Sequence, residues 1–237
     1  MKIFGLQKMT LLDFPGCVAY TVFLGGCDFR CPFCHNFELV DGSAKPLMTD
    51  EELLGFLEKR RGLLDGVAFT GGEPLLSKEL PELMRKIRAL GFKTKLDTNG
   101  YHPSRLRPML EEGLVDYVAM DVKNSPKKYA ETCGVGNVDM DTIRESINVI
   151  MRLAPDYEFR TTVVDELHEV SDFEKIGGLI AGAKRFFLQA FTDRGTVPFE
   201  GFHAPSKEKL EACRVAVSPF VPSAELRGVL PQYIGSA

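Results

Sequence analysis

Three of the six cysteines in this 237-residue chain crowd into Gly25-Gly26-Cys27-Asp28-Phe29-Arg30-Cys31-Pro32-Phe33-Cys34-His35-Asn36, at spacings i, i+4 and i+7. Three thiolates on so short a loop can ligate three irons of a 4Fe-4S cubane. Gly25 and Gly26 let the backbone pass close, and Phe29, Pro32 and Phe33 shelter the metal from water. The fourth iron has no obvious protein ligand and can take a bidentate one, for which the amino and carboxylate groups of S-adenosylmethionine are suited. A structural zinc or cluster-stabilised binding module without catalysis is the competing reading, with His35 as a fourth zinc ligand. Against zinc, Cys34 and His35 are adjacent, which strains tetrahedral ligation, and no second cysteine pair exists. Cys17, Cys133 and Cys213 are isolated and read as small core residues.

Four further segments carry chemistry. In Thr70-Gly71-Gly72-Glu73-Pro74 two glycines allow close approach to a ligand and Glu73 can accept a cationic or donor group. Asp97-Thr98-Asn99-Gly100 ends a β-rich run, and a helical pattern follows it, which weakens the hairpin reading of Asn-Gly. Met120-Asp121-Val122-Lys123 and Phe159-Arg160-Thr161-Thr162 set charges in otherwise apolar strands, where they need partners. Each alone suits a structural salt bridge. Glu73, Asp97, Asp121 and Lys123 nevertheless all fall at or near the C-terminal ends of predicted strands, the rim where βα barrels assemble their sites.

The elements that must position these residues are short β-rich runs alternating with amphipathic ones. The strands are predicted at Val18 to Leu24, Gly66 to Thr70, Lys93 to Thr98, Tyr117 to Val122, Tyr157 to Val164 and Arg185 to Ala190. Thr49 and Glu52 form a capping box that starts a helix running to about Arg61, and Ser77 starts the next, closed by Gly91. Further helices are predicted at Ser104 to Glu112, Asp141 to Leu153, Ser171 to Ala181 and Ser206 to Val217. About six strand-helix units suit an α/β fold of parallel strands, an incomplete, open (β/α)6 barrel, with a doubly wound sheet as the alternative because periodicity leaves strand order open. One domain is expected over 1–237, with its core at about 6–190 and a C-terminal helix and tail over 191–237.

Composition excludes several classes. The chain has 33 acidic against 29 basic residues and no long run of like charge, so no nucleic-acid footprint. No segment approaches the ~20 apolar residues of a membrane span, and the first residues lack a secretory signal, so a cytoplasmic location is expected.

Taken together, the cysteine loop, the Gly-Gly-Glu-Pro turn, Asp-Thr-Asn-Gly and Asp-Val-Lys resemble the glycyl-radical-enzyme activating proteins of the radical S-adenosylmethionine superfamily, from about Leu6 to Ala190. Leu6-Gln7-Lys8-Met9-Thr10-Leu11-Leu12-Asp13-Phe14-Pro15-Gly16, with Cys34-His35-Asn36, is most similar to the activating proteins of anaerobic ribonucleoside-triphosphate reductase. Pyruvate formate-lyase activating enzyme is the near relative. The resemblance implies that Gly71, Gly72 and Glu73 bind the amino end of S-adenosylmethionine and that Lys123 and Arg160 contact its polar groups. It also implies that Phe33 and Asn36 lie near adenine, that Asp97, Thr98 and Asp121 can hold a monovalent cation, and that Asp13 faces the partner's glycine loop. The implied reaction is reductive cleavage to a 5′-deoxyadenosyl radical that takes a glycine hydrogen from the partner enzyme, with flavodoxin or ferredoxin as electron donor. A small molecule or a peptide is the alternative target. One departure is Phe191-Thr192-Asp193, where the lyase activator has a histidine near adenosine.

Overall fold

The computed structural model describes residues 1–193 and 195–228. Its strands are β1 (Lys2–Ile3), β2 (Gly5–Thr10), β3 (Ala19–Leu24), β4 (Met48–Thr49), β5 (Gly66–Gly71), β6 (Lys93–Thr98), β7 (Tyr117–Asp121), β8 (Asp156–Val163), β9 (Phe186–Ala190) and β10 (Ala224–Arg227). The helices are α1 (Phe37–Asp41), α2 (Asp50–Glu58), α3 (Leu80–Ala89), α4 (Pro103–Glu111), α5 (Tyr129–Thr132), α6 (Met140–Leu153), α7 (Val170–Leu179) and α8 (Lys207–Val217).

The main sheet has eight strands in the order β10-β9-β8-β7-β6-β5-β3-β2. From β3 to β10 all neighbours are parallel, and β2 is antiparallel to β3. The order follows the chain without the reversal that defines a doubly wound sheet. Among the described residues β2 and β10 do not pair, so the barrel is open, as predicted. All six predicted strands form. Three features differ from expectation. β10, in the predicted tail, is a seventh parallel strand, and β2 adds an antiparallel edge. Ser77 closes a 3-10 turn over Pro74–Leu76, and α3 begins only at Leu80. β10 is four residues long and carries Glu225 and Arg227, so its pattern is weak. The rest of that tail, residues 229–237, lies outside the described residues.

Local chemistry sets the helix starts. The predicted capping box is present: Thr49 N–H donates to Glu52 at 2.7 Å and Glu52 N–H to Thr49 Oγ1 at 3.2 Å. α6 carries an apolar stripe, burying Ile143, Ile147, Val149 and Ile150. Strand alternation then separates two environments. Val118, Met120 and Phe159 point into the main core beneath the helices and are fully buried. Phe14, Cys17, Ala19, Tyr117 and Ala119 form a separate small cluster that fills the lumen at the N-terminal ends of the strands. Above it, Asp97, Asp121 and Arg160 line a polar cavity at the C-terminal ends. No helix among the described residues is long and apolar enough to cross a membrane.

Candidate active site

The cysteine loop follows β3 directly, and two glycine pairs set its path. A Cβ at Gly72 would lie 2.0 Å from the Gly26 carbonyl oxygen, and one at Gly71 2.4 Å from that of Leu24. This close approach lets Gly72 N–H donate to Leu24 O at 2.9 Å and Glu73 N–H to Gly26 O at 2.7 Å. The thiol loop and the turn after β5 are thereby one unit. From the other side, Arg30 N–H donates to the Cys133 carbonyl at 2.8 Å. Asp28 lies 2.7 Å from His102 Nε2, and Phe29 packs on Tyr101.

Cys27 is held by two hydrogen-bond donors. Cys27 Sγ accepts from Phe29 N–H at 3.4 Å and from the Asn99 amide at 3.7 Å. Burial pushes the Cys27 thiol up to about 11 and also raises Cys34. At Cys31 the neighbouring Cys133 outweighs burial and lowers the thiol to about 7. Burial discourages bare thiolates here, while the two donors at Cys27 compensate charge on its sulfur, as suits iron–sulfur ligation. For a single small ion the arrangement is poorer: among the described residues no three or more His, Cys, Asp or Glu side chains are gathered closely enough. His35 Nε2 lies 2.7 Å from the Thr192 carbonyl, which can only accept, so that nitrogen carries the proton.

The thiols open onto a cavity of about 270 Å³. Its wall includes Phe33, Asn36, Gly71, Gly72, Asp97, Thr98, Asp121, Lys123 and Arg160, so the structure gathers residues far apart in sequence, from Phe33 to Arg160. Asn36 is fixed by donating to the Gly71 carbonyl at 3.2 Å. Asp121 takes Arg160 Nε at 2.9 Å on one oxygen and Lys123 Nζ at 2.9 Å on the other. Asp97 takes Arg160 at 3.3 Å on one oxygen and Lys95 on the other. Burial opposes ionisation of both carboxyls, but Arg160, with Lys123 at Asp121 and Lys95 at Asp97, holds them below the usual carboxylate range. In turn burial would lower Lys123 and Arg160, and the carboxylates keep both protonated. The result is a fixed row of paired charges, two carboxylates against three cations, with Lys123 and Arg160 facing the cavity.

Three expectations meet a different geometry. Glu73 is fully buried and stands behind the wall. Its carboxylate accepts from Leu75 N–H at 3.0 Å, the Thr98 hydroxyl at 3.0 Å and Asn99 N–H at 2.7 Å, tying the β5 turn to the end of β6. Burial still pushes it up to about 7. Thr98 therefore turns to Glu73 and not to the Asp97 and Asp121 carboxylates proposed to share a cation with it, and those carboxylates already have Lys95, Arg160 and Lys123. Asp13 accepts from the Thr21 hydroxyl at 2.7 Å in the loop between β2 and the start of β3, and it does not line the cavity.

Other contributors carried weaker signals. His35, weighed only as a zinc ligand, lines the cavity and stacks on Phe191 with ring centroids 5.5 Å apart. It occupies the neighbourhood of Phe191-Thr192, where the departure from the lyase activator falls. Lys95 is buried to 2% side-chain exposure under Asp97, and its alternation with Asp97 on β6 could have pointed to it. Cys133 meets the thiol loop, at Arg30, only through the fold.

A parallel open barrel with a three-cysteine loop after its first parallel strand, facing a polar cavity at the C-terminal rim, defines the class of enzymes that hold a cluster and an adenosylated cofactor side by side. The Radical SAM superfamily model matches residues 21–175, and the chain belongs to that superfamily, whose cofactors are a 4Fe-4S cluster and S-adenosylmethionine. A Methanocaldococcus jannaschii protein provisionally named a glycyl-radical enzyme activating enzyme is 28% identical over 95% of both chains. The pyruvate formate-lyase-activating enzyme of Clostridium pasteurianum is 34% identical over 52% of each. Among solved structures, a radical SAM methyltransferase from Sphaerobacter thermophilus is similar in fold, with a TM-score of 0.66 and 17% identity, over 90% of this chain and 67% of that one.

Proposed function

We propose that the chain activates a glycyl radical enzyme by abstracting a hydrogen atom from a glycine of that partner. The observation that carries this reading is the convergence on one cavity of three thiols, the Gly71-Gly72 backbone and the Asp97-Arg160-Asp121-Lys123 row, in a barrel whose sheet is open between β2 and β10. A small-molecule enzyme is better served by an enclosed pocket, whereas an open edge admits a loop of a second protein. The relative aligned along nearly the whole chain is named for the same activity.

When bound, the cluster and S-adenosylmethionine supply the chemistry: one-electron reduction of the sulfonium, and from it a carbon radical able to remove hydrogen. The chain binds, orients and excludes water. Cys27, Cys31 and Cys34 hold the cluster. Gly71 and Gly72 offer backbone groups to the cofactor's amino end, and Lys123 and Arg160 direct their remaining N–H donors to its carboxylate. Asn36 and Phe33 flank the adenine, with the His35 ring beside them. Phe29 and Phe33, both buried, keep water from the reacting atoms. No side chain has to move a proton.

The partner we assign is anaerobic ribonucleoside-triphosphate reductase, on the similarity of the Leu6 to Gly16 segment. Reduced flavodoxin or ferredoxin is the assigned donor, because Cys17 and Cys213 are buried apart from the loop and offer no second cluster. The test is to reconstitute the chain anaerobically with iron and sulfide, then add S-adenosylmethionine, reduced flavodoxin and the reductase. Formation of 5′-deoxyadenosine together with a glycyl radical signal on the reductase is expected. If 5′-deoxyadenosine forms while every glycyl radical enzyme tried stays silent, the partner reading is wrong and a small molecule or peptide is the target.

A further inference from the structure

Lys123 lies just beyond the end of β7, whose ladder with β8 closes where Asp121 pairs with Arg160. Its ammonium reaches Asp121 at 2.9 Å, and the residue lines the cavity. A lysine side chain is a long flexible stem, so where its charge points depends on how firmly its backbone is held. Val122 is still tied to β8: its N–H donates to the Arg160 carbonyl at 2.8 Å, and its carbonyl accepts from the Thr161 hydroxyl at 2.6 Å. Lys123 finds its partner elsewhere. After β8 the chain turns, with the N–H groups of Leu167 and His168 donating to the Val164 carbonyl, and the fully buried His168 ring meets the strand end. His168 Nε2 lies 2.9 Å from the Lys123 carbonyl, which can only accept, so this nitrogen carries the proton. Nδ1 accepts from Val164 N–H at 3.1 Å, and burial keeps the ring neutral. Asn124, fully buried as well, repeats the tie by donating to the Leu167 carbonyl at 3.0 Å. The ring thus spends one nitrogen inside its own turn and the other on the residue that carries the cavity's ammonium.

We propose that His168 is a positioning residue for S-adenosylmethionine: its Nε2–H holds the Lys123 carbonyl and so aims the Lys123 ammonium at the cofactor's carboxylate. The bond takes the place of the ladder contact that β7 no longer makes at this residue. Holding the backbone in advance removes an ordering cost that binding would otherwise carry, and affinity rises accordingly. His168 acts through Lys123 and does not line the cavity itself. This inference rests on the reading of Lys123 as a contact of the cofactor and not on the glycyl radical partner.

The test separates the two ring nitrogens. His168→Asn keeps an acceptor where Nδ1 stands and loses the donor to Lys123, whereas His168→Gln places an amide N–H where Nε2 stands and loses the acceptor for Val164. Each variant is reconstituted with iron and sulfide, S-adenosylmethionine binding is measured by equilibrium dialysis, and urea unfolding of the iron-free chain is followed beside it. Both variants delete one buried hydrogen bond and should lower the unfolding midpoint comparably. Only His168→Asn should weaken binding, by several-fold and at most about tenfold, the worth of one net hydrogen bond. Lys123→Met should weaken binding too, and adding His168→Asn to it should weaken binding no further, because the two act through one group. A His168→Asn variant with wild-type affinity, or equal losses of affinity in the Asn and Gln variants, overturns the proposal. If His168→Asn does not hold iron, His168→Gln decides: wild-type affinity supports the proposal and a several-fold loss overturns it. If Lys123→Met itself binds as wild type does, Lys123 is no cofactor contact, and the reading of the site falls together with this inference.

Discussion

Replacing Glu73 by alanine separates two roles for this carboxylate, that of a cofactor ligand and that of a tie between loops. Glu73 accepts from two backbone N–H groups and one hydroxyl at 2.7 to 3.0 Å while fully buried. Removing it orphans Leu75 N–H and Asn99 N–H, while the Thr98 hydroxyl can rotate. At roughly 1 kcal/mol or more for each buried unsatisfied donor, plus about 1 kcal/mol for lost side-chain packing, the cost is about 3 kcal/mol. With an m value of roughly 2–3 kcal/mol/M in urea, the unfolding midpoint should fall by about 1 M or somewhat more. The assay is urea unfolding of the iron-free chain followed by circular dichroism, so no cofactor enters. Glu73→Gln keeps an acceptor and should lose about half as much. A Glu73→Ala variant that unfolds at the wild-type midpoint, and only binds S-adenosylmethionine more weakly, would refute the tie and restore the direct-ligand reading.

Other outcomes follow from the same geometry. Cys31→Ala should lose the cluster's iron and all 5′-deoxyadenosine formation, and colorimetric iron analysis with chromatography checks both. Gly72→Ala drives a Cβ to 2.0 Å from the Gly26 carbonyl, so the two loops must part; binding of S-adenosylmethionine by the reconstituted protein, measured by equilibrium dialysis, should weaken by about tenfold or more, worth ~1.4 kcal/mol. Asp121 has a folded pKa below its ordinary value of 3.8, so the stability it contributes is present above that value and is lost as pH falls below it. Acid unfolding of Asp121→Asn should therefore show a shallower dependence on pH than wild type in that range.

Much of the architecture was legible because it rests on local rules. The alternation of apolar runs, the Thr49-Glu52 box and the glycines at the turns mark where strands and helices begin, and all six predicted strands form. Strand order was not legible, since periodicity reports burial and not neighbours. β2 and β10 were missed for a related reason: both lie at sheet edges, half of β2 is exposed, and β10 is only four residues long. Edge strands have less need for the apolar pattern that betrays a central one.

The site divides in the same way. Cys27, Cys31 and Cys34 could be listed as candidates directly, because thiols on one short loop keep their chemistry in their spacing. Gly71, Gly72, Asp97, Asp121, Lys123 and Arg160 could be listed as candidates from their place at strand ends, but their alliances could not. Only the parallel register that sets Asp121 opposite Arg160 decides that one guanidinium spans two carboxylates. Only the packing of the β5 turn against the end of β6 turns Glu73 inward, and only the end of α5 brings the Cys133 carbonyl to Arg30 of the thiol loop. Residue types and local spacing determined which chemistry this chain can hold. Long-range packing decided which side chains touch, because hydrogen bonds and charge pairs act over a few ångströms between residues the sequence holds far apart.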